Sequence, residues 1–435
     1  MRLIPLDDDA KVLVNFLNRT FLSGFKHPEK MPNYSTIELI IDPYCNLACK
    51  YCYLNKYGKE LNPNISISSI QENSKKIIDF LKDSGFKGRI EIFGGEPLIK
   101  DYVLDIIERL LIETDAKEIV VPSNMTFLLN MQKDKRVREL IELGKDLGRP
   151  FLISSSWDGK LMQAINRPFK VKKSVDFDAW ADKIFEFATH YKIGFHPMIY
   201  SNNIEQWFDN FLWFQKKFQE FNIPFSSLYL LEVRNPEWTV EQIKAFMTFI
   251  DNVVKWTFHT PCKSQKENFL EFLFEKRGYN LLSAPFSTIG RGIGCSIQSA
   301  LHIRVNDLAI VPCHRTSYEH FVAGYLKFDG KNVYVKSKNI VPYLAIHTLS
   351  AKTLPMCEHC PLNSMCSFGC LGAQYETTGD LFTPIPTVCM LEHGKVFQLI
   401  KSFMDINVLN DIKARVSPDK KSAIDLFEGY YERGV

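Results

Sequence analysis

The feature that most constrains this chain is an alternation running from residue 36 to residue 258. Short β-branched stretches take turns with longer stretches whose apolar residues recur at helical spacing. "TIELIID" (36–42) predicts a strand ending before Pro43, and "SSIQENSKKIIDFLKDSG" (68–85) a helix with Gly85 near its end. Further strands are predicted over 89–95, 118–123, 150–156, 193–200 and 226–233. Helices are predicted over 102–115, 133–147, 177–191, 204–220 and 239–258. About six β/α units imply a parallel sheet with helices outside it. The expectation is an α/β fold, a partial (β/α)6 TIM-like barrel, with active residues at the C-terminal ends of its strands.

The alternation covers about half of the 435 residues. The remainder divides into an N-terminal extension (1–35), a bridging region (261–294), a cysteine-rich region (295–395) and a helical tail (396–435), around a barrel at 36–260. With 53 basic and 50 acidic residues, net charge is +3, which argues against a nucleic-acid partner. There is no run of eighteen apolar residues to span a membrane, and Asp7, Asp8 and Asp9 interrupt the place where a signal peptide would be apolar. The expected location is the cytoplasm, where the eleven cysteines point to metal or catalysis rather than disulfides.

Cys45, Cys49 and Cys52 follow the first strand with Cys-x3-Cys-x2-Cys spacing. On a helix these positions share a face, so a buried apolar stripe is one reading, but Asp42, Pro43, Asn46 and Lys50 oppose it. Zinc with a distant fourth ligand is a second. A third is an iron–sulfur cubane, which normally takes four thiolates. Three would leave one iron open for chemistry.

This spacing after a first strand resembles the signature of radical S-adenosylmethionine (SAM) enzymes. The resemblance implies that the amino and carboxylate groups of SAM chelate the open iron. One electron then cleaves SAM to a 5′-deoxyadenosyl radical, which takes a hydrogen atom from substrate. Three further stretches, each at the end of a predicted strand, carry the same likeness. "GGEP" (Gly94, Gly95, Glu96, Pro97) matches the motif holding the SAM amino group. "SNMT" (123–126) is similar to the family's Thr-Asn-Gly-Thr segment, with Asn124 retained and Met125 in place of glycine. "SWDG" (156–159) is similar to Ser-Leu-Asp-Gly, which implies Ser156 near the ribose; Arg167 matches the arginine reaching the carboxylate, and Tyr51 the aromatic near adenine. Taken singly, these stretches also read as ordinary turns, and Arg167 as half of a surface ion pair.

Downstream, "CEHCPLNSMCSFGC" gives Cys357, Cys360, Cys366 and Cys370, with Cys389 beyond and Cys295 and Cys313 before. A zinc ribbon would account for two such pairs. The pattern resembles the SPASM domain of peptide and protein maturases, which holds two auxiliary four-iron clusters. Carried over, Cys357, Cys360, Cys366 and Cys389 close one cluster, and Cys295, Cys313 and Cys370 take the other. Cys262 stands 33 residues before Cys295 and reads first as a small, partly buried residue, then as a ligand, then as a radical-quenching thiol. Two departures stand out: Leu308 where the family has glycine, and His314 where sulfatase maturases have an aspartate base. His314 is a candidate base, or a solvated or structural histidine.

The resemblance implies SAM, three [4Fe–4S] clusters, a flavodoxin- or ferredoxin-type reductant, and oxidative cross-linking of a ribosomally made precursor peptide. Alternatives are a protein side-chain maturase, a peptide epimerase, a small-molecule enzyme and, last, a non-catalytic electron-transfer protein. Some 35 residues before the first strand are few for an independent leader-recognition domain, so a separate leader-binding protein, or the barrel itself, is expected to do that work.

Overall fold

The computed structural model describes residues 3–20, 36–172, 174–260, 266–287, 296–329, 332–348, 354–366 and 368–433. The chain forms two compact units, each assembled from separate stretches. The first comprises Met1–Trp157, Arg167–Ile193 and Ser296–Thr348, and the second Asp158–Asn166, Gly194–Cys295 and Leu349–Val435.

In the first unit, strands Thr36–Ile40, Arg89–Phe93, Glu118–Ser123 and Phe151–Ser155 lie side by side and parallel, as the alternation requires. Helices Ile67–Ser84, Asp101–Glu113 and Met131–Asp146 connect them in turn. The first helix begins where Ser66 accepts from the Ser69 amide and ends at Gly85 with φ 64°, a conformation glycine adopts without Cβ strain. Helix Phe177–Tyr191, capped by Asp176, buries Trp180, Ile184, Phe185 and Phe187 on one face.

The other side of Thr36–Ile40 holds a surprise. Strand Ala300–Arg304 pairs with it in parallel, setting His302 opposite Glu38. Strands Ala309–Val311, Gly324–Phe328 and Val333–Ser337 extend the sheet as an antiparallel meander. Leu3–Pro5 pairs with Val333–Ser337, so the N-terminal residues belong to the sheet and are followed by helix Asp8–Thr20. Strands of three to five residues carry too few alternations to register as a pattern in the sequence.

The second unit holds the last pair of expected barrel strands, shortened to Met198–Ile199 and Leu231–Glu232. Pro197 interrupts the first of these stretches, because it cannot donate to a ladder. Helices Trp207–Glu220, Val240–His259 and Pro386–Asp405 form an aromatic core in which Phe211 meets Trp256 at 5.1 Å and Tyr279 at 5.2 Å edge-on. The chain closes with three helices: Pro386–Asp405, Leu409–Arg415 and Pro418–Glu432. The first runs unbroken through the expected 395/396 boundary. Among the described residues, no helix is long and apolar enough to cross a membrane.

Candidate active site

The site grows from the loop after Thr36–Ile40. Ile41 N donates to Phe93 O (2.9 Å), Gly95 N to Asp42 O (2.8 Å) and Glu96 N to Tyr44 O (2.9 Å). The cysteine loop and the GGEP loop are therefore zipped backbone to backbone. The glycines make this possible: a Cβ on Gly94 would stand 2.6 Å from Asp42 O, and one on Gly95 2.0 Å from Tyr44 O. Their close approach is to the cysteine loop itself, not to a ligand as the motif alone suggests. Beneath the zipper, buried Asp42 pairs with buried Lys100 at 2.5 Å and accepts from Tyr102 Oη. On the far side, Ala48 N donates to Pro168 O (2.7 Å) and Lys170 N to Asn46 O (3.0 Å).

Cys45, Cys49 and Cys52 are all partly exposed on this loop. Two donors reach Cys45 Sγ: Leu47 N at 3.4 Å and Asn124 Nδ2 at 3.6 Å. Burial, and next the charge of Glu96, push the Cys45 thiol up to about 11. A thiol so hard to ionise is inert as a nucleophile, but a metal ion deprotonates its own thiolate ligands. Partly exposed sulfurs on one braced loop, with N–H groups already aimed at one of them, fit a metal–thiolate centre.

Glu96 is 1% exposed. Its carboxylate accepts from Asn124 N (2.6 Å), Ser123 Oγ (2.8 Å) and Leu98 N (3.4 Å). Burial outweighs these bonds and raises its pKa to about 7. Among the described residues no cation pairs with Glu96 directly, and the charge of Lys100 only partly offsets its burial, so the carboxylate is a seat for one. Pro97 opens the short 3-10 turn that presents it. Asn124 binds both groups together, donating its amide N–H to Glu96 and its side chain to Cys45 and to Asn46 Oδ1 (3.0 Å). Met125, in place of the glycine, holds φ 64° and is fully buried.

Arg167 Nη1 donates to Ser156 Oγ (3.1 Å), and its guanidinium lies over the Tyr51 ring at 5.3 Å. Ser156 Oγ donates to Ser123 O (3.1 Å), next to the Glu96 group. Three residues far apart in sequence thus form one arm of the site.

Residues 39–218 match the radical SAM superfamily. The chain carries a radical SAM domain. Curated relatives are GTP 3',8-cyclases: that of Thermodesulfovibrio yellowstonii is 32% identical over 102 residues, 23% of this chain and 31% of that protein. That of Desulforamulus reducens is 26% identical over 102 residues, 23% of this chain and 30% of that protein. The chain spans about a third of the length of these relatives. The fold is similar to native anSMEcpe with bound AdoMet, with a TM-score of 0.58 and 16% identity over 86% of this chain and 100% of that one. It is also similar to anSMEcpe with AdoMet and the Cp18Cys peptide, with a TM-score of 0.55 and 16% identity over 87% and 99%.

In the first unit the radical SAM domain also meets His314. Its ring stacks on Phe93 at 3.8 Å, and Nδ1 lies 3.0 and 3.2 Å from the two Glu38 oxygens. Burial would raise the Glu38 pKa, but His314 and then His302 hold it below the usual carboxylate range. Burial lowers His302 to about 4, against the charge of Glu38, which acts to raise it. Sequence reasoning missed Glu38 and His302, which meet only through the non-local pairing of Thr36–Ile40 with Ala300–Arg304. It also missed Asn46, Ser123 and the Asp42–Lys100 pair; Asp42 closing an apolar strand was the available signal. Cys313, the residue before His314, is buried with Sγ 3.2 Å from Thr316 Oγ1.

The second unit brings Cys357, Cys360 and Cys389 near one another: burial raises the Cys389 thiol first, then the charges of Cys357 and Cys360. Cys366 Sγ accepts from Phe368 N (3.2 Å), and Cys370 caps helix Leu371–Thr378. Burial, then Glu392, push the Cys366 thiol up to about 12. Beside it lies a buried quartet. Lys395 Nζ meets Glu232 (2.9 Å) and Glu392 (2.8 Å), and Arg234 meets the same two at 2.8 and 3.2 Å. Among the described residues, no three His, Cys, Asp or Glu side chains converge as around a single ion. Cys262 and Cys295 lie outside the described residues.

Proposed function

We propose that this chain is a radical SAM enzyme that oxidatively cross-links a ribosomally made peptide. The carrying observation is that Asn124 ties Cys45, on the three-cysteine loop, to the cation-seeking Glu96, next to the Arg167–Ser156–Tyr51 arm. When bound, SAM and a [4Fe–4S] cluster supply one-electron cleavage and a carbon radical.

The residues do the rest. Cys45, Cys49 and Cys52 would hold the cluster, with Asn124 and the Leu47 amide donating to Cys45. Glu96 ionises to receive the ammonium of SAM, and Arg167 turns from Ser156 to its carboxylate. Tyr51 covers the adenine and Ser156 faces the ribose. His314, held by Glu38 and stacked on Phe93, takes the proton leaving the substrate. On the resemblance, Cys357, Cys360, Cys366 and Cys389 would hold one auxiliary cluster and Cys295, Cys313 and Cys370 a second, and such clusters would supply electron acceptance. The charges of Cys357 and Cys360 acting on the Cys389 thiol support the first of these sets. A flavodoxin- or ferredoxin-type protein supplies the first electron. A peptide substrate is supported by the anSMEcpe structure that holds one.

Anaerobically reconstituted protein should bind about twelve irons per chain, the content of three cubanes. Replacing Cys45, Cys49 and Cys52 by alanine should abolish SAM cleavage and leave about eight irons. Cleavage that survives this change would reject the site. Co-expression with a peptide encoded beside this chain should remove two hydrogens from it, read by mass spectrometry. Deuterium uptake without mass loss would instead mean epimerisation. The GTP 3',8-cyclase relatives favour a second reading, a small-molecule substrate, which an unmodified peptide would leave standing.

A further inference from the structure

Helix Pro386–Asp405 carries Cys389 and, one turn later on the same face, His393. The imidazole is not part of any ligand pattern described above. Its Nε2 stands 3.5 Å from Cys360 Sγ. The ring is held from behind: Phe427 meets it edge-on at 6.3 Å, and Phe427 is itself buried against Phe397 at 6.5 Å. Phe427 lies on helix Pro418–Glu432, whose first turn also accepts from the cysteine segment, Ser364 Oγ to Asp419 O at 3.4 Å. The closing helix therefore braces both the cysteine turn and the histidine that faces it.

We propose that His393 donates its Nε2–H to the Cys360 sulfur and thereby sets the reduction potential of the auxiliary centre at Cys357, Cys360, Cys366 and Cys389. The inference rests on the auxiliary-cluster reading above and adds a residue to it. An N–H aimed at a thiolate ligand stabilises the extra negative charge of the reduced cluster and raises its potential. The competing geometry is direct ligation. A thiolate and an imidazole on one tetrahedral ion would stand about 3.6 Å apart, given bonds of about 2.3 and 2.05 Å. The hydrogen bond is favoured because the four cysteines assigned to this centre leave no ligand position for the imidazole.

The test uses the full chain, reconstituted with iron and sulfide, in the Cys45→Ala, Cys49→Ala, Cys52→Ala background. Potentiometric titration followed by electron paramagnetic resonance should place the His393→Leu centre at a more negative midpoint. His393→Gln, which keeps an N–H donor, should recover most of the shift. Electron–nuclear double resonance in D2O should show an exchangeable deuteron coupled to the reduced centre, and His393→Leu should lose it. An unchanged midpoint with that coupling intact would overturn the proposal. So would a nitrogen coupling of the size of a bound imidazole, or iron lost from His393→Leu and not restored by His393→Gln. Too little iron in the parent protein would instead reject the underlying cluster reading, and this inference with it.

Discussion

Two cysteine segments in one chain are built in opposite ways. The stretch from Ile41 to Ala48, which carries Cys45, is pinned by main-chain bonds to residues distant in sequence: Phe93, Gly95, Glu96, Pro168 and Lys170. The segment from Leu354 to Cys370 closes on near neighbours, with Cys357 N to Leu354 O, Cys360 N to Cys357 O and Cys366 N to Leu362 O. The first loop is shaped by the sheet before any metal arrives. The second is a string of turns whose long-range ties come from side chains and, on the reading above, from the metal itself. Open chemistry suits the first design, because a pre-organised site loses little on binding SAM. A closed cluster suits the second, because metal binding there is also folding.

The largest test of that contrast is to strip the iron. Hydrogen exchange in the chelated protein should rise strongly across 354–370 and stay near its starting level at the amides of Ile41, Ala48, Gly95, Glu96 and Lys170, the donors of the five backbone bonds. Equal loss of protection in both segments would end the comparison.

The next test takes one charge from the second unit. Lys395 is buried between Glu232 and Glu392. Burial alone would raise the Glu232 pKa, yet Lys395 and Arg234 hold it well below the usual range. Lys395→Met leaves two buried carboxylates facing one arginine, and should cost about 3–5 kcal/mol in denaturant unfolding. SAM binding in the first unit should be unaffected. If it falls in parallel, the two units are not energetically separate.

Much of this was legible in advance. The strands at 118–123 and the helix at 177–191 fall where the pattern puts them, because each carries several turns or alternations of local signal. Glu96 follows strand Arg89–Phe93 closely, as its motif leads one to expect, whereas Arg167 lies beyond helix Lys160–Asn166 rather than at a strand end. What could not be read is non-local: the pairing of Thr36–Ile40 with Ala300–Arg304 sets Glu38 beside His302 and His314 across more than 260 residues, and no window on the sequence spans that distance. The quartet at Glu232, Arg234, Glu392 and Lys395 was hidden for the same reason.

A smaller effect probes pre-organisation in the first unit. With its pKa near 7, Glu96 must lose a proton before it can receive an ammonium group at acid pH. SAM affinity of the reconstituted protein should therefore fall about tenfold per unit below pH 7 and level off above it. Glu96→Gln should bind weakly with no such slope. The difference between the two curves removes the titration of SAM itself, and parallel curves would deny Glu96 the role.

The smallest effect concerns the two residues standing where the family resemblance calls for glycine. Met125 and Leu308 hold φ 64° and 61°, where an L side chain is strained by roughly 1–2 kcal/mol. Leu308 is 7% exposed, and its burial contributes roughly 1.5–3 kcal/mol. Glycine would relieve the strain but lose that burial and add roughly 0.5–1 kcal/mol of backbone entropy cost. Leu308→Gly should therefore destabilise the chain by about 1–2 kcal/mol in thermal unfolding, with SAM affinity unchanged. Met125 is fully buried beside Asn124, which donates to both Glu96 and Cys45. Met125→Gly should lose stability and SAM affinity together. If both variants instead gain stability, strain outweighs packing at these turns, and the two side chains are tolerated departures rather than parts of the core.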